Sequence, residues 1–208
     1  YLWKGVLTGI LRVARESIFS GLNNLGVYSL LRPEFSTCFG FTEPEVIALL
    51  ARMQQPELLL PIRAWYNGYR FGQTTIYNPW SLMNYLNSQD KVLRPYWVGT
   101  SSNELIHEQL RLRALTLQPA LQQLLAGGTV ERELEESTSI GDLSTSESAL
   151  WSLLVFTGYL KAEAFDRGPM ESPGYRLSIP NREVREVYRQ TFLGWLETHL
   201  HALGGGVE

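Results

Sequence analysis

Ala149-Leu150-Trp151-Ser152-Leu153-Leu154-Val155-Phe156 is apolar on nearly every side when wound as a helix. A helix without a polar face belongs in a core. Ser144, three residues before Glu147, offers a capping box for its start. Upstream, Thr129-Val130-Glu131-Arg132-Glu133-Leu134-Glu135 alternates as a polar-edged strand, and Ser137-Thr138-Ser139 with Gly141-Asp142 reads as a loop. Downstream, Tyr159 to Phe165 and Tyr175 to Ile179 predict a hairpin, joined through Arg167-Gly168-Pro169 and Ser172-Pro173-Gly174. Asn181 then caps a last helix that carries Val184, Val187, Tyr188, Phe192, Trp195 and Leu196. Strand, helix, hairpin and helix in this order predict a winged-helix-like unit over residues 128–208.

The region before it reads as a small helical bundle. Thr42-Glu43-Pro44-Glu45 is a capping box with proline in the first turn, followed by Val46, Leu49, Leu50 and Met53 at helical spacing. Asn78-Pro79 opens a second helix in the same way, turning Leu82, Met83, Tyr85 and Leu86 to the interior. Ser101 or Ser102 caps a third with Leu105, Ile106 and Leu110 on one face, and a fourth runs from about Gln118 to Ala126 and stops at Gly127-Gly128. Between the first two helices, Trp65-Tyr66-Asn67-Gly68-Tyr69-Arg70-Phe71 sets four aromatics around a pair that favours a tight turn with positive φ. Its structural reading is an aromatic clamp between two helices.

Composition excludes several classes. The 208 residues carry a formal charge of -3 and a 44% hydrophobic content, which is ordinary for a globular protein and lacks the footprint of a nucleic-acid binder. Between Glu133 and Leu160 there is no Lys or Arg, so the helix that a winged helix would send into a groove has nothing to contact phosphates. Arg182, Arg185 and Arg189 fall at helical spacing, but Glu183 and Glu186 sit beside them, and the stripe reads as a solvated, ion-paired face. Cys38 is alone and is read as a packing residue. The chain has neither a signal peptide nor a membrane-length apolar run, so a cytoplasmic setting is expected, with no membrane partner. His107, His199 and His201 show no metal-site spacing, no nucleophile elbow or HExxH is present, and Lys161 precedes Glu163 in the wrong order for a nuclease. No catalytic residue and no metal ligand is assigned.

Nor is there a Gly-x-x-x-x-Gly-Lys-Ser/Thr loop; the lysines are Lys4, Lys91 and Lys161, none in a Gly-rich turn. Leu2 to Gly9 nevertheless reads as a buried parallel strand delivering Thr8 at its carboxyl end, where ligands of open α/β sheets sit. Thr8 with Arg12 faces a phosphate on that reading; on the other, Thr8 caps a helix near Ile10 and Arg12 lies in solvent.

Thr8-Gly9-Ile10-Leu11-Arg12, Glu16-Ser17-Ile18-Phe19-Ser20-Gly21-Leu22-Asn23-Asn24 and Phe39-Gly40-Phe41-Thr42-Glu43-Pro44-Glu45-Val46 follow one another in a telling order. So do Trp65 to Phe71, Tyr77-Asn78-Pro79-Trp80-Ser81 and Pro95-Tyr96-Trp97-Val98-Gly99-Thr100-Ser101-Ser102-Asn103, with a fainter continuation in Gly158-Tyr159-Leu160 and Arg176 to Val184. In these blocks the chain resembles the AAA-ATPase-like family, P-loop ATPases of the STAND/archaeal type usually fused to a PD-(D/E)XK nuclease-like domain. The resemblance implies a mainly α, minor β (α+β) chain. Residues 1–30 would end an ATPase core with a sensor-like strand, 31–127 would form a helical lid and 128–208 the winged helix. On that resemblance the P-loop and its acidic metal-holding strand would precede Tyr1 and the nuclease would follow about Glu208; the start without an initiator methionine is likewise expected of a fragment. It further implies that Thr8 and Arg12 report the γ-phosphate, and that Asn67, Gly68, Tyr69 and Pro79 line the adenine or ribose side. ATP and Mg would bind the parent protein and none is expected on this stretch alone, which is therefore expected to be inactive as an ATPase. The partners implied are the parent's own ATPase core and nuclease-like domain. A protein-interaction module with an acidic winged helix is the alternative, and a nucleic-acid-binding domain is the third and least favoured reading.

Overall fold

The computed structural model describes residues 5, 6, 8, 9, 26–97, 103–136, 146–168 and 172–191. Along the chain come α1 (Glu43–Arg52), a 3-10 turn (Pro56–Leu58), α2 (Leu59–Tyr66), β1 (Tyr69–Phe71), β2 (Thr74–Ile76) and α3 (Pro79–Asn87). They are followed by α4 (Asn103–Leu112), α5 (Ala114–Leu125), β3 (Val130–Arg132), α6 (Glu147–Phe156), β4 (Lys161–Phe165) and β5 (Gly174–Ser178). A last helix, α7, covers 182–191. The chain is mainly α with minor β, as predicted.

Local chemistry sets most of these boundaries. At α1 the Glu45 carboxylate accepts the Thr42 backbone N–H at 2.7 Å, closing the capping box. At α3 the Asn78 side chain accepts from the N–H groups of Trp80 and Ser81, with Pro79 in the first turn. Gly127 ends α5 at φ +89, and the Gly128 N–H donates to Gln123 O at 2.9 Å, satisfying a terminal carbonyl. Two starts differ from expectation. α5 begins at Ala114, ahead of Pro119, because one missing N–H in an exposed second turn is outweighed by burial of Leu117, Leu121 and Leu124. α6 is capped by Ser146, whose Oγ accepts the Ala149 N–H at 3.1 Å; Ser144 lies outside the described residues, as do Ser101 and Ser102.

Strands β3, β5 and β4 form a three-stranded sheet in the order β3-β5-β4, antiparallel throughout. Leu177 stands between Val130 and Ala162, all three buried, while the next register places Arg176 between Glu131 and Glu163 on the opposite face. That is period-two patterning with an apolar inner face and opposite charges paired across strands outside. The first strand therefore pairs with the last, and α6 packs behind them with Ala149 through Val155 all buried. Each fully buried Leu of α6 contributes roughly 1.5–3 kcal/mol relative to exposure.

Gly5, Val6, Thr8 and Gly9 are exposed and belong to no strand, in contrast to the parallel strand expected over Leu2 to Gly9. A parallel strand requires covered edges and faces, and among the described residues every pairing is antiparallel.

Two apolar cores result. The smaller gathers Val46 and Leu50 of α1, Ile62 and Tyr66 of α2, Tyr77, and Leu82, Tyr85 and Leu86 of α3. The larger takes Ile106 and Leu110 of α4 and Leu117, Leu121 and Leu124 of α5 together with α6, the sheet and Val184, Val187 and Tyr188 of α7. Tyr69 and Ile76 of the β1–β2 hairpin also enter the larger core, so the chain crosses from one core to the other between Tyr66 and Tyr69, at Asn67-Gly68.

Candidate functional site: a polar joint between the cores

At this crossing the backbone is unusual. Asn67 is extended, at φ -91 and ψ 177, while Gly68 sits at φ +104. A β-carbon on Gly68 would stand 2.1 Å from the carbonyl oxygen of Pro180. Glycine is required on both counts. The contact brings the Trp65-to-Phe71 block against the start of α7, more than a hundred residues later in the chain, where the Asn181 Nδ2 donates to Asn67 O at 2.9 Å. Asn181 has two tasks, since its Oδ1 also accepts the Val184 N–H at 3.0 Å and caps α7.

Two glutamates flank this crossing in opposite electrostatic settings. Glu43, in the first turn of α1, accepts from Arg63 and from the Tyr77 hydroxyl, and lies 3.4 Å from the Asn67 Nδ2. Burial raises its carboxyl, but the bonds from Arg63 and Tyr77 outweigh this and hold it below the usual range. Burial and the bond to Glu43 push the Tyr77 phenol up to about 12. Glu183, in the first turn of α7, is 0% exposed. Its Oε1 accepts from Ser81 Oγ at 2.8 Å, from the Tyr96 N–H at 2.9 Å and from the Trp97 N–H at 3.1 Å. Its Oε2 is buried without a donor, and no ion pair reaches it among the described residues. Burial raises this carboxyl above its ordinary value, against the bonds from Ser81, Trp97 and Tyr96.

Aromatic rings close the joint. Tyr66 packs 5.8 Å from Tyr85 and 6.2 Å from Tyr96, and its hydroxyl donates to Arg94 O. The predicted clamp thus joins α2 to α3. Trp97 lies 4.8 Å from Tyr159, which meets Tyr188 edge-on at 5.8 Å. Gly158, at φ +85, would bring a β-carbon within 3.2 Å of the Tyr69 ring.

Of the residues assigned to nucleotide contact, Asn67, Gly68 and Tyr69 lie in this joint, and Pro79 opens α3 exposed to solvent, next to Asn78. Tyr69 is buried, its hydroxyl among the Asn78 and Asn181 side chains without a bond of good geometry. Thr8 is exposed coil, and Arg12 lies outside the described residues. The ion-paired stripe needs a correction: Arg182, Arg185 and Arg189 are exposed and Arg189 pairs with Glu186 at 3.4 Å, but Glu183 faces inward. Its place four residues before Val187, on the apolar stripe of α7, was the signal in the sequence. Ser81 and Asn181 carried only a motif match and a cap.

No family model matches the chain, and no solved structure matches it. The chain is similar to a protein of Azotobacter chroococcum mcd 1, "Uncharacterized protein in vnfD 5'region", at 35% identity over 193 residues. The match takes in 90% of this chain and 34% of the relative, so the chain spans about a third of the relative's length. Among the described residues no helix is long and apolar enough to cross a membrane, and no three His, Cys, Asp or Glu side chains converge as metal ligands.

Proposed function

We propose that this chain is the coupling part of an ATPase-like nucleotide switch, passing ATP state from a P-loop core to an effector domain of the nuclease-like type. One observation carries the reading. The blocks that resemble the AAA-ATPase-like family, Trp65 to Phe71, Tyr77 to Ser81, Pro95 to Trp97, Gly158 to Leu160 and Arg176 to Val184, are scattered in sequence and meet in one joint through Asn67, Gly68, Ser81, Trp97, Gly158 and Glu183. A switch needs such a joint, because rigid bodies convey a small displacement only through an interface with discrete arrangements. Residues 31–127 act as the lid on the nucleotide and the sheet with α6 and α7 acts as a winged-helix-like arm in the cytoplasm. ATP and Mg are bound by the P-loop core of the parent protein, with Thr8 and Arg12 at the γ-phosphate and the Asn67-Gly68-Tyr69 turn and Pro79 on the nucleoside side. The buried Tyr69 supports the turn from behind.

Calorimetric titration with ATP and Mg tests this on the present chain and on one extended N-terminally through a P-loop. Only the extended chain is expected to bind; failure of both removes the switch reading. A protein-interaction role is then the reading to pursue, favoured by exposed Tyr28, Phe35 and Phe39 on the 26–41 loop, where Tyr28 and Phe35 pack edge-on at 5.1 Å.

A further inference from the structure

Glu183 does something that the switch reading does not require. Its Oε1 gathers three donors from two separate stretches, α3 and the 96–97 backbone, and so ties α7 to the segment that carries the smaller core. Among the described residues its Oε2 has none, although the residue is fully buried. The groups facing it are the Ser81 hydroxyl from α3, the backbone of Tyr96 and Trp97, and the buried phenols of Tyr66 from α2 and Tyr69 from β1, both of which feel its charge. None of these is a cation. From its own helix, Arg182 and Arg185 point to solvent. A buried carboxylate with one oxygen unpaired and no cation among the described groups is costly, and a neutral carboxyl in the same place costs less, its Oε2–H being an unpaired polar group and not an unpaired charge.

We propose that Glu183 is a protonation-gated latch: neutral, it holds the two cores together; ionised, it loosens the joint so that α7 parts from α3 and residues 96–97 before either core melts. The direction follows from linkage. With the joint closed, burial keeps the carboxyl's affinity for protons above that of the opened, hydrated state, so opening releases a proton and is favoured as pH rises. The closed joint has its full strength below the ordinary carboxylate range and loses it as pH climbs through the closed-state value. The latch test uses no nucleotide, so it and the switch reading can fail independently.

Amide hydrogen exchange of Tyr96 and Trp97, corrected for intrinsic rates, reads the latch directly from about pH 5 to about pH 8. In the native chain protection at both amides is expected to fall by about tenfold per pH unit until the closed-state value is passed. Glu183→Gln, which keeps the three donors' acceptor and cannot ionise, should show protection that does not change with pH. Ser81→Ala, which removes one bond to the ionised form, should widen the pH range over which protection is lost. Flat protection in the native chain, or the same fall in the Gln variant, would overturn the latch; if the Gln variant does not fold, an unchanged profile in Ser81→Ala overturns it equally.

Discussion

Gly68 shows how a single position can carry a tertiary requirement. Its φ of +104 would by itself cost another residue about 1–3 kcal/mol, and the Pro180 carbonyl occupies the space a β-carbon needs. Gly168 provides the control, with φ +130 and no atom within 4 Å of an added β-carbon. Gly68→Ala is expected to lower the urea midpoint well beyond Gly168→Ala; equal losses would mean that backbone strain alone, and not the approach of Pro180, demands glycine at 68. Glu43 and Glu183 make the complementary point about charge. Both are glutamates in the first turn of a helix, where the N-terminal dipole favours a carboxylate. Their carboxyls move in opposite directions because Arg63 reaches one, whereas among the described residues the other meets only neutral donors.

Helix α3 was the most legible element. Asn78-Pro79 announced its start, and Leu82, Tyr85 and Leu86 are buried as their spacing required, while Met83 faces outward. Asn78→Ala should cost about 1 kcal/mol through loss of the cap, measured as a shift in thermal midpoint, with no change in the exchange of the Tyr96 amide if the cap acts on the helix alone. Helix α6 was legible for a different reason. Seven consecutive buried residues leave no face to solvent, and none of its side chains between Ala149 and Val155 is placed to enter a groove. Helix α5 was less so, because a proline marks a helix start only when tertiary burial does not carry the helix through it, and here Leu117 lies ahead of Pro119 on the buried side. The Arg176 row, flanked by Glu131 and Glu163, shows the alternation of a half-buried sheet, and it followed from period two.

Two cores joined by a polar seam should still unfold as one unit so long as the seam holds. Asn181→Ala removes both the cap of α7 and the bond to Asn67 O. Scanning calorimetry is expected to show one transition for the native chain and two for this variant, one for each core, since the seam supplies the coupling that makes unfolding all-or-none. A single, merely shifted transition would mean that the cores are coupled by apolar contact alone. The β1–β2 hairpin is the element to watch in that case, because Tyr69 and Ile76 sit in the larger core while Tyr66 and Tyr77 on either side of them sit in the smaller.

Capping boxes, helical spacing and strand alternation were enough to derive most helix starts, the β3, β4 and β5 strands and the burial of α6, because each of these is set by neighbours within a few residues. The seam was decided elsewhere. Glu183 could be assigned to a charged stripe from its neighbours Arg182 and Arg185, and only the approach of Ser81 and of the 96–97 backbone, from about a hundred and about eighty-five positions away, turns it into a buried acceptor. Local patterns report what a residue can do for its own helix or strand. Which donors meet a buried carboxylate, and whether any of them is a cation, depends on packing between distant elements, and that is why the joint became visible only in three dimensions.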